Sequence, residues 1–458
     1  MTDHRDPIED WLGTDVELLP PRPGAFQRIR HQANRRRVTR TAMTAAAAAV
    51  VVAAGVTLPQ LAFKSGGQPV RIITPGTGTQ SPSPGQTRPS PRRSVSPTAS
   101  KPAALSGPAL RSAGAPPAAP GFRPTSVTFV GPFTGVVLGQ ARCGSRWCTS
   151  LAGTTSYGGS WRKVGAPSAG PADGGSGVSQ VRFLDTKNGW AFGPELWATH
   201  DGGAHWTKVR IASGRVIDLA AVKTRAFAVV GIGCTGTGAD YAASCASVAL
   251  LSSPATSDKW RVVPGGGSGP EKAGGLQLDS THGYVLEGRT LYAGPVTGGK
   301  WHLVGNGSPT EPPCLSGASG VAGPALIAPS GASLYLACDA GPAAATPARP
   351  GPLTLYLSGD SGRTWRVLGV IGAHGAPTSL AVAPGSGTLV LATSRGLYYS
   401  ADGRNWNRSA MTSPPGGGLG FVGMTTMQQG VAVPANSRLH ELFTTRDGGL
   451  TWQPSVIS

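Results

Sequence analysis

One phrase, written seven times, constrains this chain more than any other feature. The pattern Ser/Thr-x-Asp-x-Gly-x-x-Trp stands complete at Thr199–Trp206, Ser358–Trp365 and Thr445–Trp452, and with one residue deleted at Ser400–Trp406. Weaker copies run from Thr154 to Trp161, from Ser253 to Trp260 and from Gly294 to Trp301. A second mark unites all seven. Three residues before each copy stands a leucine: Leu151, Leu196, Leu250, Leu291, Leu355, Leu397 and Leu442. In five copies an aromatic follows that leucine (Trp197, Tyr292, Tyr356, Tyr398, Phe443).

The phrase has the chemistry of a hairpin turn. A strand carrying Leu-aromatic enters, an Asp accepts backbone N–H bonds, a Gly supplies a positive φ, and a Trp opens the return strand. Asp201, Asp360, Asp402 and Asp447, with Trp206, Trp365, Trp406 and Trp452, therefore read as structural turn residues rather than as catalytic acids or metal ligands. Successive leucines are 45, 54, 41, 64, 42 and 45 residues apart, so the variation belongs to loops. A repeat of that period with about four short strands per unit is a β-propeller blade. Seven units predict an all-β, seven-bladed propeller over residues 125–458.

Charge is read by segment. Against 40 Lys+Arg the chain has 22 Asp+Glu, a net +18. Residues 1–40 carry +2, residues 64–124 carry +8 with no acid, and residues 125–458 hold 24 basic and 16 acidic residues. No basic stripe with interleaved aromatics is visible in the propeller, which argues against a nucleic-acid partner. Attraction to anionic cell-surface polymers remains the milder reading.

The first 40 residues run from an acidic start (Asp3 to Glu17) to a basic finish, and Phe26 to Arg40 reads as a short basic helix. They hold too little apolar surface for an independent fold. Thr41 to Phe63 then has no charged residue over 23 positions. As a helix rising ~1.5 Å per residue it spans a hydrocarbon core of roughly 30 Å. A cleavable signal peptide is the competing reading, opposed by the 40-residue leader and the lack of a clean A-x-A site. Six Arg between positions 28 and 40 face only Lys64 and Arg71 beyond the apolar run, which keeps the N-terminus cytoplasmic and everything after residue 64 outside. The expectation is a single-pass protein of a bacterial cell membrane. Lys64 to Pro124, built of Pro, Ser, Thr, Ala and Gly, reads as a disordered extracellular tether.

All six cysteines lie beyond the apolar run, and they fall in pairs within repeat units: Cys143 with Cys148, Cys234 with Cys245, Cys314 with Cys338. That is the pattern of local staples in an oxidising compartment. Six cysteines allow 15 connectivities, so this pairing rests on the repeat phase. No zinc-ligand spacing accompanies them, and neither metal nor cofactor is expected.

The best-written unit sets the strand phase. Val181 and Phe183 alternate in a first strand, Asp185 to Asn188 turn, Gly189 to Gly193 form the second strand, Glu195 to Thr199 the third, and His205 to Val209 the fourth. The phrase VRFLDTKNGWAFG followed by the turn resembles the Asp-box propellers of the photosystem II assembly and stability factors, and more broadly the BNR repeats of sialidases. The N-terminal stub resembles those preceding the membrane helix of actinobacterial surface proteins. The propeller resemblance covers roughly residues 125–458 and implies the fold; hydrolases, receptors and scaffolds share it.

Two functions are weighed. A sialidase-like glycoside hydrolase would need three carboxylate-clamping Arg, a Tyr–Glu pair, an Asp acid/base and an Arg-Ile-Pro opening. Phe122-Arg-Pro124 comes nearest to that opening but lacks the Ile. Tyr398 and Tyr399 are already explained by the repeat, and Glu195, Asp240, Glu287, Glu311, Asp339 and Glu441 have no partner at fixed spacing. The preferred reading is a monomeric binding or scaffold module for a protein or glycan of the cell envelope. Its specificity would lie in variable loops such as Cys143–Cys148, Cys234–Cys245 and residues 305–352.

Overall fold

The computed structural model describes residues 116–457, except 173–174, 212–213, 237–244, 268–272, 306–309, 316–324, 332 and 340–352. The stub, the apolar run, residues 64–115 and Asp240 lie outside the described residues. Among the described residues every regular element is a strand, and no helix is long and apolar enough to cross a membrane.

Seven antiparallel sheets follow one another along the chain, spanning residues 123–164, 180–209, 214–262, 273–304, 326–371, 377–408 and 419–456. In each the antiparallel strands form a meander with the first innermost and the fourth outermost, and among the described residues the seventh sheet alone carries a further strand outside its fourth. First strands of successive blades pack side by side around an axis. The chain is a seven-bladed β-propeller. In the second blade, strands at Gln180–Phe183, Gly189–Phe192, Leu196–Thr199 and Thr207–Val209 keep the predicted phase. The first blade begins earlier than composition indicates, because Pro117 bridges to Arg162 and both Ala118 and Phe122 are buried.

The seven marker leucines hold one place in every blade. Each lies on the third strand and is 2% exposed or less. Leu151, Leu196 and Leu291 stand opposite Val164, Val209 and Val304 on the fourth strand. At ~25 cal/mol per Å² of apolar surface, burying one leucine contributes about 1.5–3 kcal/mol, and seven equivalent sites distribute the core evenly between blades.

The repeated turn is more than a turn. In its complete copies the Ser or Thr hydroxyl bonds the Asp carboxylate at 2.8 Å, and the Asp accepts the backbone N–H four residues on, at 2.9 Å. The same hydroxyl accepts the N–H of the second glycine position: Gly203, Gly362 and Gly449. That glycine has a positive φ, and it also touches the preceding blade. A Cβ on Gly203 would stand 2.9 Å from Val164 Cγ1, and one on Gly449 would stand 2.9 Å from Val390 Cγ2. Glycine is required there twice over, for its dihedral and for the close approach.

Ring closure uses the same device. The turn of the first blade sits against the seventh, where Trp161 Nε1 donates to Ser455 Oγ at 3.1 Å and Ser455 Oγ donates to the Gly158 carbonyl at 2.7 Å. His440 Nδ1 lies 2.9 Å from the Phe122 carbonyl oxygen, and residues of both blades share one apolar cluster. The seventh blade is completed by its own chain, with Ala410–Met411 added in parallel outside Thr451–Val456.

Candidate functional site

Residues on or beside the innermost strands of the second to seventh blades face a common space. There they enclose a channel. A cavity of about 340 Å³ is lined by residues of six blades, among them Gln180, Arg182, Asp218, Gln277, Leu326, Thr378 and Phe421. A second, of about 460 Å³, shares Gln277, Ser379, Leu380 and Phe421 with it and extends to Asp279, Ser330 and Met424.

The walls differ in character. On one side Arg182 Nη1 donates to the Val181 carbonyl at 2.9 Å and to Ser126 Oγ at 3.3 Å. Asp218 accepts the Leu219 N–H on Oδ1 at 2.8 Å and the Leu276 N–H on Oδ2 at 2.9 Å, which ties the third blade to the fourth. On the other side stand Leu326, Ile327, Leu380 and Phe421, and the Phe421 ring lies 5.8 Å from the Arg182 guanidinium carbon. The result is a channel with a cationic, hydrogen-bonding wall and an apolar wall.

Arg182 and Asp218 lie deep in the disc yet remain half-exposed, because the channel itself brings them solvent. Burial pulls the Arg182 guanidinium below its ordinary range, and the charge of Asp218 opposes that. Burial likewise pushes the Asp218 carboxyl up, against the attraction of Arg182 and the two backbone N–H bonds. Channel residues also stitch blades together, with Thr378 Oγ1 donating to the Leu419 carbonyl at 2.7 Å and Ser379 Oγ to the Val422 carbonyl at 3.2 Å; outside the channel Thr125 Oγ1 donates to the Ser179 carbonyl at 3.0 Å.

The residues singled out from the sequence lie elsewhere. Asp201, Asp360, Asp402 and Asp447 cap their turns between third and fourth strands, and none lines the channel. Trp452 and Trp365 are buried, while Trp206 and Trp406 are half-buried, with Trp206 Nε1 donating to the Gly165 carbonyl of the preceding blade at 2.9 Å. The cysteines are joined as 143–148, 234–245 and 314–338, the pairing predicted from repeat phase.

Candidates for sialidase chemistry are scattered. Arg123 packs on Trp147, the buried Tyr398 accepts the His374 N–H at 3.1 Å, Glu195 pairs with Lys208 at 2.9 Å, and Glu287 is buried. Among the described residues Arg182 is the one arginine of the channel lining, and no tyrosine or glutamate joins it. Nor do three His, Cys, Asp or Glu side chains of the described residues converge as a metal-binding group.

Arg182 and Asp218 themselves were not singled out by sequence reasoning. The signal was there: each is a charge flanked on both sides by apolar residues of an innermost strand, in VRF and in VIDLA. A charge so placed must face the axis, since the sheet interfaces are apolar.

Fold and channel define the class: a seven-bladed propeller with an amphipathic axial cavity. No family model matches the chain, and no curated protein matches it. Among solved structures it is similar to YCF48 bound to D1 peptide (13% identity, 72% of this chain and 93% of that chain covered, TM-score 0.46). It is also similar to the bacterial surface component PorZ of Porphyromonas gingivalis (12%, 75% and 39%, TM-score 0.46) and to Kluyveromyces lactis Hsv2 (11%, 74% and 98%, TM-score 0.41).

Proposed function

We propose that this chain is a binding module, a propeller of the Asp-box type that holds a protein or glycan partner in the bacterial cell envelope through its axial channel. In this reading residues 41–63 anchor it in the membrane, residues 64–115 form the tether, and the propeller stands outside the cytoplasm. The observation that carries it is the channel's division into a wall with a fixed guanidinium and a wall of Leu326, Leu380 and Phe421. Such a surface suits a ligand that presents an acidic or polar group beside an apolar one. Asp218 is ill placed for acid/base work, because each of its oxygens already accepts a backbone N–H. The three disulfides favour an oxidising compartment.

The test is site-specific photo-crosslinking in intact cells from position 421 of the full chain. One adduct, lost in Arg182→Gln, supports the reading. Turnover of a fluorogenic sialoside that disappears in Asp218→Asn would replace it with the hydrolase.

A further inference from the structure

The first blade carries the charge that the rest of the disc does not. Residues 116–172 contain five cations (Arg123, Arg142, Arg146, Arg162, Lys163) and no Asp or Glu, whereas residues 173–458 balance 20 cations with 16 acids. The propeller's excess of positive charge is therefore concentrated in one blade. The acid-free run extends further, from residue 18 to residue 172.

The cations are organised rather than scattered. In the hairpin of Gly135–Cys143 and Arg146–Thr154, Arg142 stands opposite Trp147, and Arg123 on the neighbouring strand pairs with Gln140, two residues along the same face. Both guanidiniums pack against the same indole, 3.9 Å (Arg123) and 4.4 Å (Arg142) from its centroid. Two like charges are thus held within about 8 Å, roughly a Debye length in physiological salt, where they repel. No ion pair among the described residues relieves them. Arg123 Nε and Thr149 Oγ1, on that same face, are buried without a hydrogen-bond partner among the described residues. The Cys143–Cys148 disulfide pins the hairpin that presents the pair.

We infer that the Arg123–Trp147–Arg142 cluster is a docking site for an acidic glycopolymer, its carboxylate or phosphodiester groups bridging the two guanidiniums. Planar guanidiniums fixed on an aromatic face match such groups bidentately and with little ordering cost. A flexible chain suits the layout better than a flat bilayer. The exposed cations are spread along the whole blade, from Arg142 and Arg146 at the hairpin to Arg162 and Lys163 on the outer strand, opposite Gly153 and Ala152 near the end that carries the exposed Phe133. Choosing a glycopolymer over a nucleic acid rests on the proposed placement outside the cytoplasm.

The test uses the full chain and two probes, poly(glycerol phosphate) and polygalacturonate, with single-stranded DNA and anionic vesicles as competitors. Arg142→Gln is compared with Arg261→Gln, an equal loss of charge on the exposed outer strand of the third blade. We expect the first to weaken at least one glycopolymer fivefold or more and the second less than twofold, with Arg142→Lys as weak as Arg142→Gln because it keeps charge and loses the planar fork. Equal losses in both blades, or no loss, would overturn the site, as would DNA or vesicles binding more tightly with the same Arg142 dependence. Tm values of the variants within 2 °C of the parent are required, and Trp147→Phe, which keeps a ring, decides the matter if Arg142→Gln does not fold. Thiol titration of the native protein checks the placement separately: six free thiols sink the placement and leave the Arg142 comparison standing.

Discussion

The hydroxyl of Tyr157 sits 2.6 Å from the carbonyl oxygen of Gly430, and this contact joins the first blade of the ring to the last. The same hydroxyl is 2.7 Å from the carbonyl of Thr445, the ladder partner of Gly430, so one buried phenol serves both oxygens at the end of a strand pair. Burial pushes the Tyr157 phenol above the usual tyrosine range, against the pull of the two backbone bonds and the charge of Arg446, which favours the protonated, donating form. Tyr157→Phe should destabilise the propeller by about 1–2 kcal/mol, since the single buried O–H that the two carbonyl oxygens share is removed. Calorimetry should show Tm lower by roughly 2–6 °C, while Tyr399→Phe, at a half-buried ring, should shift it little.

Glycine at the fifth position of the repeated turn gives a sharper contrast. Gly449 has φ +97° and faces Val390 of the neighbouring blade, whereas a Cβ on Gly359 would meet nothing within 4 Å. Gly449→Ala should cost about 2–4 kcal/mol from strain and overpacking together, and Gly359→Ala about 0.5 kcal/mol or less. Equal denaturation midpoints for the two variants would remove the inter-blade role from the turn.

How much of this was legible beforehand follows from what each residue does. Leu151 to Leu442 could be read as core because one strand position, repeated seven times, must face one interface. The cysteine pairs were legible for the same reason. Tyr157 was not: it occupies a left-handed position, φ 54°, that Gly202 and Gly448 fill in better copies, and nothing local indicates that it reaches residues 273 and 288 positions away. Arg182 and Asp218, from the second and third blades, line one cavity in a way their own segments do not announce. Convergence at an axis is a property of closure, and local spacing does not encode it.

The channel pair itself should show strong coupling. Arg182→Gln leaves the Asp218 carboxylate half-buried without its nearest countercharge, and Asp218→Asn leaves the guanidinium in the same state. Each single change should destabilise by about 1–3 kcal/mol, and the double change by less than their sum, with a coupling of about 1 kcal/mol or more. Urea unfolding of the four proteins measures it. Strict additivity would mean that the two charges do not act on one another through the channel.

The 24-residue separation of Cys314 and Cys338 makes that disulfide the most stabilising of the three in the chain-entropy account, with a contribution of about 3 kcal/mol. Replacing both with Ala should lower the Tm more than the same change at 143 and 148, whose separation is 5. The reverse order would assign the hairpin disulfide a larger structural part than its loop length supports.

Acid should loosen the turns before it touches the leucine core. Burial tends to raise the Asp360 carboxyl, but bonds from the Thr364 hydroxyl and N–H and from the Ser358 hydroxyl outweigh it and hold the group down at about 2. Asp201 is held at about 2 in the same way, with His205 as its main donor. An unfolded Asp titrates near 3.9, so the folded state binds fewer protons between these values. Its contribution is therefore complete above about pH 4 and is lost as pH falls toward 2. The Tm should be flat from pH 7 to 5 with respect to these groups and drop below pH 4. In Asp360→Asn the drop should be shallower and the neutral-pH Tm lower, because the titrating group and part of its bonding are removed together. An acid limb of unchanged slope in that variant would show that other carboxylates govern it.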